Sequence, residues 1–209
     1  MRNERVDRLS HIRSFLRLRR CVPLAVAASA IGLLTVAFGA IEAATPSIDG
    51  GGSVQLWRLL GMGAGIVPAL ALYSPQEALE KAATLPLRRM EHWVLFTLFA
   101  WSAVFFSAAV ALVLPSFAVL IALRALPAWF GIALVSGRIL GWKLSWVLST
   151  SAACVLVYWG ESSGSFAWWE FTARHPGDVP SAMLSLALFA IGLVSYSMTP
   201  WRIARLIRR

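Results

Sequence analysis

The chain has 209 residues, 58% of them hydrophobic and 14% charged, with a formal net charge of +9 and a mean hydropathy of +0.70. That balance excludes a water-soluble core of ordinary composition. The apolar residues gather in blocks of about 20, the length an α-helix needs to cross roughly 30 Å of hydrocarbon, so helices rather than a β-barrel are expected.

In chain order, a basic segment (residues 1–21) is followed by predicted spans at 22–44, 55–73, 92–114, 117–136, 144–160 and 181–198. The expectation is an all-α polytopic membrane protein with six transmembrane helices, and a second basic segment closes the chain at 199–209. Pro115 and Ser116 leave almost no connection between the third and fourth spans, which predicts a tight antiparallel hairpin, and the same pairing gives three hairpins. The run from Val22 to Ile41 is longer than the apolar region of a signal peptide, and Glu42 interrupts the small residues Ala43 and Ala44. The first span is therefore expected to be retained.

Sixteen of the nineteen lysines and arginines fall in 1–21, 74–91, 137–143 and 199–209. By the positive-inside rule these segments, and both termini, are expected to be cytoplasmic. The basic residues flank spans and do not interleave with aromatics along one face, so the charge reports topology and not nucleic-acid binding. Trp57, Trp93, Trp142, Trp159, Trp168 and Trp201 all fall near predicted interfaces with the lipid bilayer.

Chemistry-bearing motifs are sparse. His11, His92 and His175 are scattered, so no metal-ligand cluster is expected, and Cys21 and Cys154 give no disulfide framework. The sequence contains no G-x-S-x-G, no H-E-x-x-H and no phosphate-binding glycine loop, so neither a catalytic residue nor a cofactor is expected. Acidic residues are nearly absent from the spans, with Glu42 at an outer end, which argues against a proton relay.

The long polar stretch SPQEALEKAATLPLRRME (74–91) separates the second and third spans. Ser74 can cap a helix with Pro75 at its first position and Glu77 three residues after the cap. It would run to about Leu85 and stop before Pro86, because a proline pushes the preceding residue out of helical geometry. Leu79, Ala82, Ala83 and Leu85 can face a partner or the lipid interface, while Glu77, Glu80 and Lys81 stay wet. On the residues alone, a solvated linker fits equally well.

Leu79-Glu80, five residues, then Pro86-Leu87 resembles the segment between the second and third spans of ATP-binding-cassette type-2 transporter permeases, the heme-exporter and drug-exporter membrane subunits. The resemblance departs at Glu77 and Ala78, where those permeases commonly carry a glycine and a small polar residue. It implies that this stretch is a coupling helix docking a separate cytoplasmic ATPase through Glu77, Leu79, Glu80, Lys81, Pro86 and Arg88. It also implies a second permease subunit, homo- or heterodimeric, and a bacterial inner-membrane location. The N-terminal segment, with Val6, Leu9, Ile12 and Leu16 at helical spacing, is similar to the interfacial helix preceding the first span in these permeases. FAWWEF, within the outer connection 161–180, looks like their short re-entrant helix.

Arg124 lies about eight residues into the fourth span, where a charge needs a partner or water. It either lines a translocation path for an anionic or amphipathic substrate or is held structurally, with Glu42 and Glu170 as candidate partners. Arg58, one turn into the second span, is expected to snorkel beside Trp57. The functional expectation is the permease subunit of an ATP-driven exporter, without an ATPase motif of its own. The alternatives are a secondary carrier and a non-transporting membrane protein such as an immunity or assembly factor.

Overall fold

A computed structural model of the chain describes residues 20–45, 52–73, 85–162 and 165–198, with the side chains of 85–88 and 162 left aside. Six α-helices appear among these residues: α1 (Cys21–Phe38), α2 (Leu56–Leu70), α3 (Leu85–Val113), α4 (Ser116–Leu140), α5 (Val147–Trp159) and α6 (Val179–Ser197). Two short antiparallel ribbons connect them, β1 (Glu42–Thr45) with β2 (Gly52–Gln55), and β3 (Glu161–Ser162) with β4 (Ser165–Phe166). Four helices are long and apolar enough to cross a membrane: α1, α4, α6 and the Arg89–Val113 part of α3. The other two are shorter, 15 residues in α2 and 13 in α5, or about 22 and 20 Å of helix.

Helices stand at the six positions where spans were expected, with shifted ends, but only four of them are long and apolar enough to cross a membrane. The first span stops at Phe38, and the residues assigned to its last turn pair instead as β1, with Glu42 opposite Gln55 and Thr45 opposite Gly52. Backbone bonds from Leu56 to Ile41 and from Trp57 to Gly39 then lock the ribbon onto the two helices. Helix α3 begins at Leu85 and carries Pro86 in its first turn, where the missing N–H has no intrahelical acceptor to lose. Of the expected coupling segment, residues 74–84 lie outside the described residues, as do 1–19 and 199–209. Residues 165–178 form a strand and turns, not the expected short helix at FAWWEF.

Helix α4 is the axis of the bundle. Its most extensive contact is with α6, followed by α2, and α3 packs chiefly on α1. The main partners of α1, α3, α4 and α6 are thus not the chain neighbours with which the expected hairpins pair them, although α3 and α4 do turn tightly through residues 114–115. The α4–α6 crossing is close because Gly131 meets Gly192: a Cβ on Gly131 would stand 2.3 Å from the Leu188 carbonyl oxygen. Small residues at such crossings are how helices gain packing without a hydrophobic drive from lipid.

The interior is filled by side chains. Trp57, Ala64, Phe106, Val110, Ile121 and Leu126 pack at the end that carries the ribbons, and Ile66, Leu72, Leu95, Phe130, Ala133 and Leu134 at the other. A third cluster joins Ala125, Ala128 and Trp129 of α4 to Ala153 and Leu156 of α5 and to Phe171. Proline in α2 creates one polar requirement within this core: Pro68 has no N–H to give the Ala64 carbonyl, and the buried Ser102 hydroxyl of α3 donates to it instead at 2.7 Å. Ser136 links α4 to the start of α5 in a similar way, donating to Leu144 O at 2.8 Å and accepting from Leu148 N at 3.3 Å.

Candidate functional site: a charged clasp at the ribbon end

The 160–178 connection is held against the bundle by three arginines, and the reason lies in its backbone. Phe171 is buried and packs edge-on against Trp129, 5.1 Å between ring centres, so the segment descends along α4 past its first two turns. Irregular backbone at that depth needs protein partners for its carbonyls, because hydrocarbon offers none. Arg124 supplies them, donating to Phe171 O at 3.2 Å, His175 O at 3.0 Å and Arg174 O at 2.6 Å. This is structural holding of Arg124, with carbonyls in place of the expected carboxylates. Glu42 instead accepts from Gln55 Nε2 at 3.4 Å.

Glu170 pairs with the other arginine that the sequence places within an expected span. Arg58 of α2 reaches its Oε1 at 3.0 Å, with the two side chains 10% and 0% exposed. Snorkelling beside Trp57 therefore does not describe Arg58, and Trp57 is itself buried, donating to Gln55 Oε1 at 2.7 Å. Thr172 completes the group: its hydroxyl accepts from Arg58 Nε at 3.0 Å and donates to Glu170 Oε1, to which its N–H also donates at 3.0 Å. Three donors thus converge on one carboxylate oxygen. The other, Oε2, is buried without a hydrogen-bond partner and lies against Gly160, where a Cβ would stand 2.3 Å from it and 2.1 Å from Leu156 O.

Arg174 and Asp178 carry the clasp on to α6. Arg174 donates to Phe166 O at 2.7 Å and to Asp178 Oδ1 at 3.0 Å. Asp178 is the N-cap of α6, accepting from Ser181 N at 3.1 Å and from the Ser181 hydroxyl at 2.6 Å, with Pro180 inside the first turn. The Ser181 hydroxyl bond holds the Asp178 carboxyl below the usual carboxylate range, and the Ser181 N–H and Arg174 add to this against the opposing effect of burial.

Of the residues singled out in the sequence, the structure places Arg124 and Arg58 on the same loop and brings Glu170 to Arg58. Glu77, Leu79, Glu80 and Lys81 lie outside the described residues, and Pro86 and Arg88 belong to the first turn of α3. Thr172, Arg174, Asp178 and Gly160 were not anticipated. The Asp178-Val179-Pro180-Ser181 run was a readable cap signal, whereas nothing local to Thr172 announces a contact with Arg58, 114 positions away, and nothing local to Gly160 announces the Glu170 carboxylate beside it. Trp93 at 75% exposed and Trp168 at 62% sit on the outer surface as expected of interface tryptophans. Among the described residues no three His, Cys, Asp or Glu side chains gather as a metal site would require.

The arrangement is suited to fixing one loop across four helices. No family model, no curated protein and no solved structure matches the chain.

Proposed function

We propose that this chain is a membrane-embedded subunit that works through partners, as the permease of an exporter energised by a separate cytoplasmic ATPase. In this reading six helices cross a bacterial inner membrane, both termini are cytoplasmic, and a second permease subunit completes the transport unit. The observation that carries the partner-dependent part is the filled interior: Trp129, Phe106, Phe130, Leu95, Leu126 and Leu134 are all less than 2% exposed along the bundle axis. A passage for substrate then forms between subunits and not within one. The ATPase follows from the resemblance of the 74–91 connection to a coupling segment.

Glu80→Arg tests the docking. A reversed charge at an interface introduces like-charge or unpaired contacts worth up to several kcal/mol. Co-purification of the ATPase and substrate-stimulated hydrolysis should fall together, with expression and extraction unchanged. Retention of both by the variant overturns the docking role.

A second reading, a non-transporting assembly or immunity factor, is favoured by the clasp: Arg124 spends three donors on the loop that covers it. Failure of any ATPase to co-purify with the parent protein decides for this second reading.

A further inference from the structure

The two ends of the bundle use positive charge in opposite ways. At the ribbon end, the described basic residues are Arg58, Arg124 and Arg174, and each is spent on a carboxylate or on backbone carbonyls of the same chain. Four described acids accompany them: Glu42, Glu161, Glu170 and Asp178. At the opposite end the described basic residues are Arg20, Arg89, Arg138 and Lys143, against one acid, Glu91. Among the described residues no carboxylate forms an ion pair with Arg89, Arg138 or Lys143, whereas both ion pairs that do occur are at the ribbon end.

Aromatic contacts join the segments that carry these cations. His92 lies one turn after Arg89 on α3, and its ring stands 5.2 Å from that of Tyr196 on α6. Tyr196 is 6.1 Å from Trp142, edge-on, and Trp142 folds back onto the last turn of α4, where a Cβ on Gly137 would meet its ring at 2.2 Å. Arg138 follows Gly137 and Lys143 follows Trp142. The surface beside them is apolar: Ile139 is 69% exposed, and Trp93, Leu140, Leu144 and Trp146 are exposed as well.

Cations without an ion pair among the described residues, beside exposed aromatic and aliphatic side chains at the end of a membrane helix bundle, match one ligand class, an anionic phospholipid. We propose that Arg89, Arg138 and Lys143, with Tyr196 and Trp142 between them, form a binding surface for an anionic phospholipid such as phosphatidylglycerol. The cations take the phosphate, and the acyl chains lie along the apolar surface that Ile139 and Trp146 present. Basic clusters between transmembrane helices recognise anionic headgroups in this way, and each Lys or Arg near an anionic surface is worth about fivefold in affinity. A free phosphate would satisfy the same cations but leave the apolar surface unused. The inference rests on the membrane setting and not on an ATPase partner.

The test is native mass spectrometry of the full chain released from detergent after equilibration with phosphatidylglycerol or phosphatidylcholine. The parent should retain phosphatidylglycerol at least tenfold better. Lys143→Gln, a change at an exposed side chain that leaves the core alone, should lower that retention about fivefold. The triple variant R89Q/R138Q/K143Q should retain both lipids equally. Equal retention by the parent, or an undiminished preference in the triple variant, overturns the proposal. Displacement of the lipid by millimolar inorganic phosphate would assign the cations to a free anion and overturn the lipid assignment.

Discussion

Replacing Glu170 by alanine removes the carboxylate on which Arg58 and Thr172 converge, and the consequence can be sized from burial. Glu170 is fully buried and Arg58 is 10% exposed, so the variant leaves a guanidinium with little access to water and no counter-charge. Breaking one side of such a pair costs about 3 to 5 kcal/mol, because the remaining charge keeps its desolvation penalty. In a protein of this length 1 kcal/mol shifts the melting temperature by about 2 to 4 °C, so Glu170→Ala should melt about 10 °C below the parent in detergent. The pair itself is worth far less than its disruption, since apolar side chains of similar volume often replace a buried ion pair at no cost. The double variant R58M/E170L should accordingly recover most of the lost stability, although Thr172 loses its partners too. A single variant within about 2 °C of the parent would refute the reasoning. So would a double variant no better than the single, since the loss would then come from packing and not from charge.

Gly160→Ala should weaken the same clasp by a different route, because its methyl would stand 2.3 Å from Glu170 Oε2 and 2.1 Å from Leu156 O. Limited proteolysis within 160–178 should accelerate while α4 and α6 remain protected. Gly131→Ala should push α6 off α4, with a loss of about 1 to 3 kcal/mol in thermal unfolding, since the new Cβ would meet Leu188 O at 2.3 Å. Asp178 has a folded pKa below its unfolded value, so its capping stabilisation is present above the ordinary carboxylate pKa of about 4 and is lost as pH falls through the lower folded value. Amide exchange at the start of α6 should therefore rise relative to the pH trend of neighbouring helices only below about pH 4, and Asp178→Asn should abolish that dependence. In a chain without Cys21 and Cys154, a membrane-impermeant thiol reagent added from outside should reach a cysteine at position 163 and miss one at 80; the reverse pattern would invert the topology.

The helices were legible because their signal is local: an apolar block is long enough to be seen without knowing what it touches. Their ends were less so. Glu42-Ala-Ala-Thr45 reads as the tail of a span by hydropathy, and only pairing with Gly52–Gln55 makes it a strand. Asp49-Gly50, a common turn pair, was the available hint of a ribbon there. The clasp was half legible: a lone arginine inside a span announces that it must be satisfied, and Glu170 was among the candidates. Which arginine it serves depends on the route of the loop. That Arg124 serves carbonyls could not be read, because backbone acceptors carry no sequence signature. Pro68 and Ser102 show the same limit, since the proline predicts an orphan carbonyl but not the helix that supplies the donor.

The same residue type therefore has two physical fates in this chain, decided by what surrounds it. Arg58 and Arg124 lie a few turns or less from the ribbon end of their helices, where an irregular loop supplies carbonyls and a buried carboxylate, and their charge is consumed in holding that loop. Arg138 lies in the last turn of the very helix that carries Arg124, yet no loop folds over it among the described residues, and Trp142 covers the helix beside it. Its charge remains for a ligand or a headgroup. A count of basic residues weighs these arginines equally, but a guanidinium whose donors are taken up by its own chain is not free to bind another molecule, and among the described residues the cations without such partners lie at one end of the bundle. The end predicted to be cytoplasmic is thus also the end whose described cations are left for other molecules, which is where an anionic leaflet would be met.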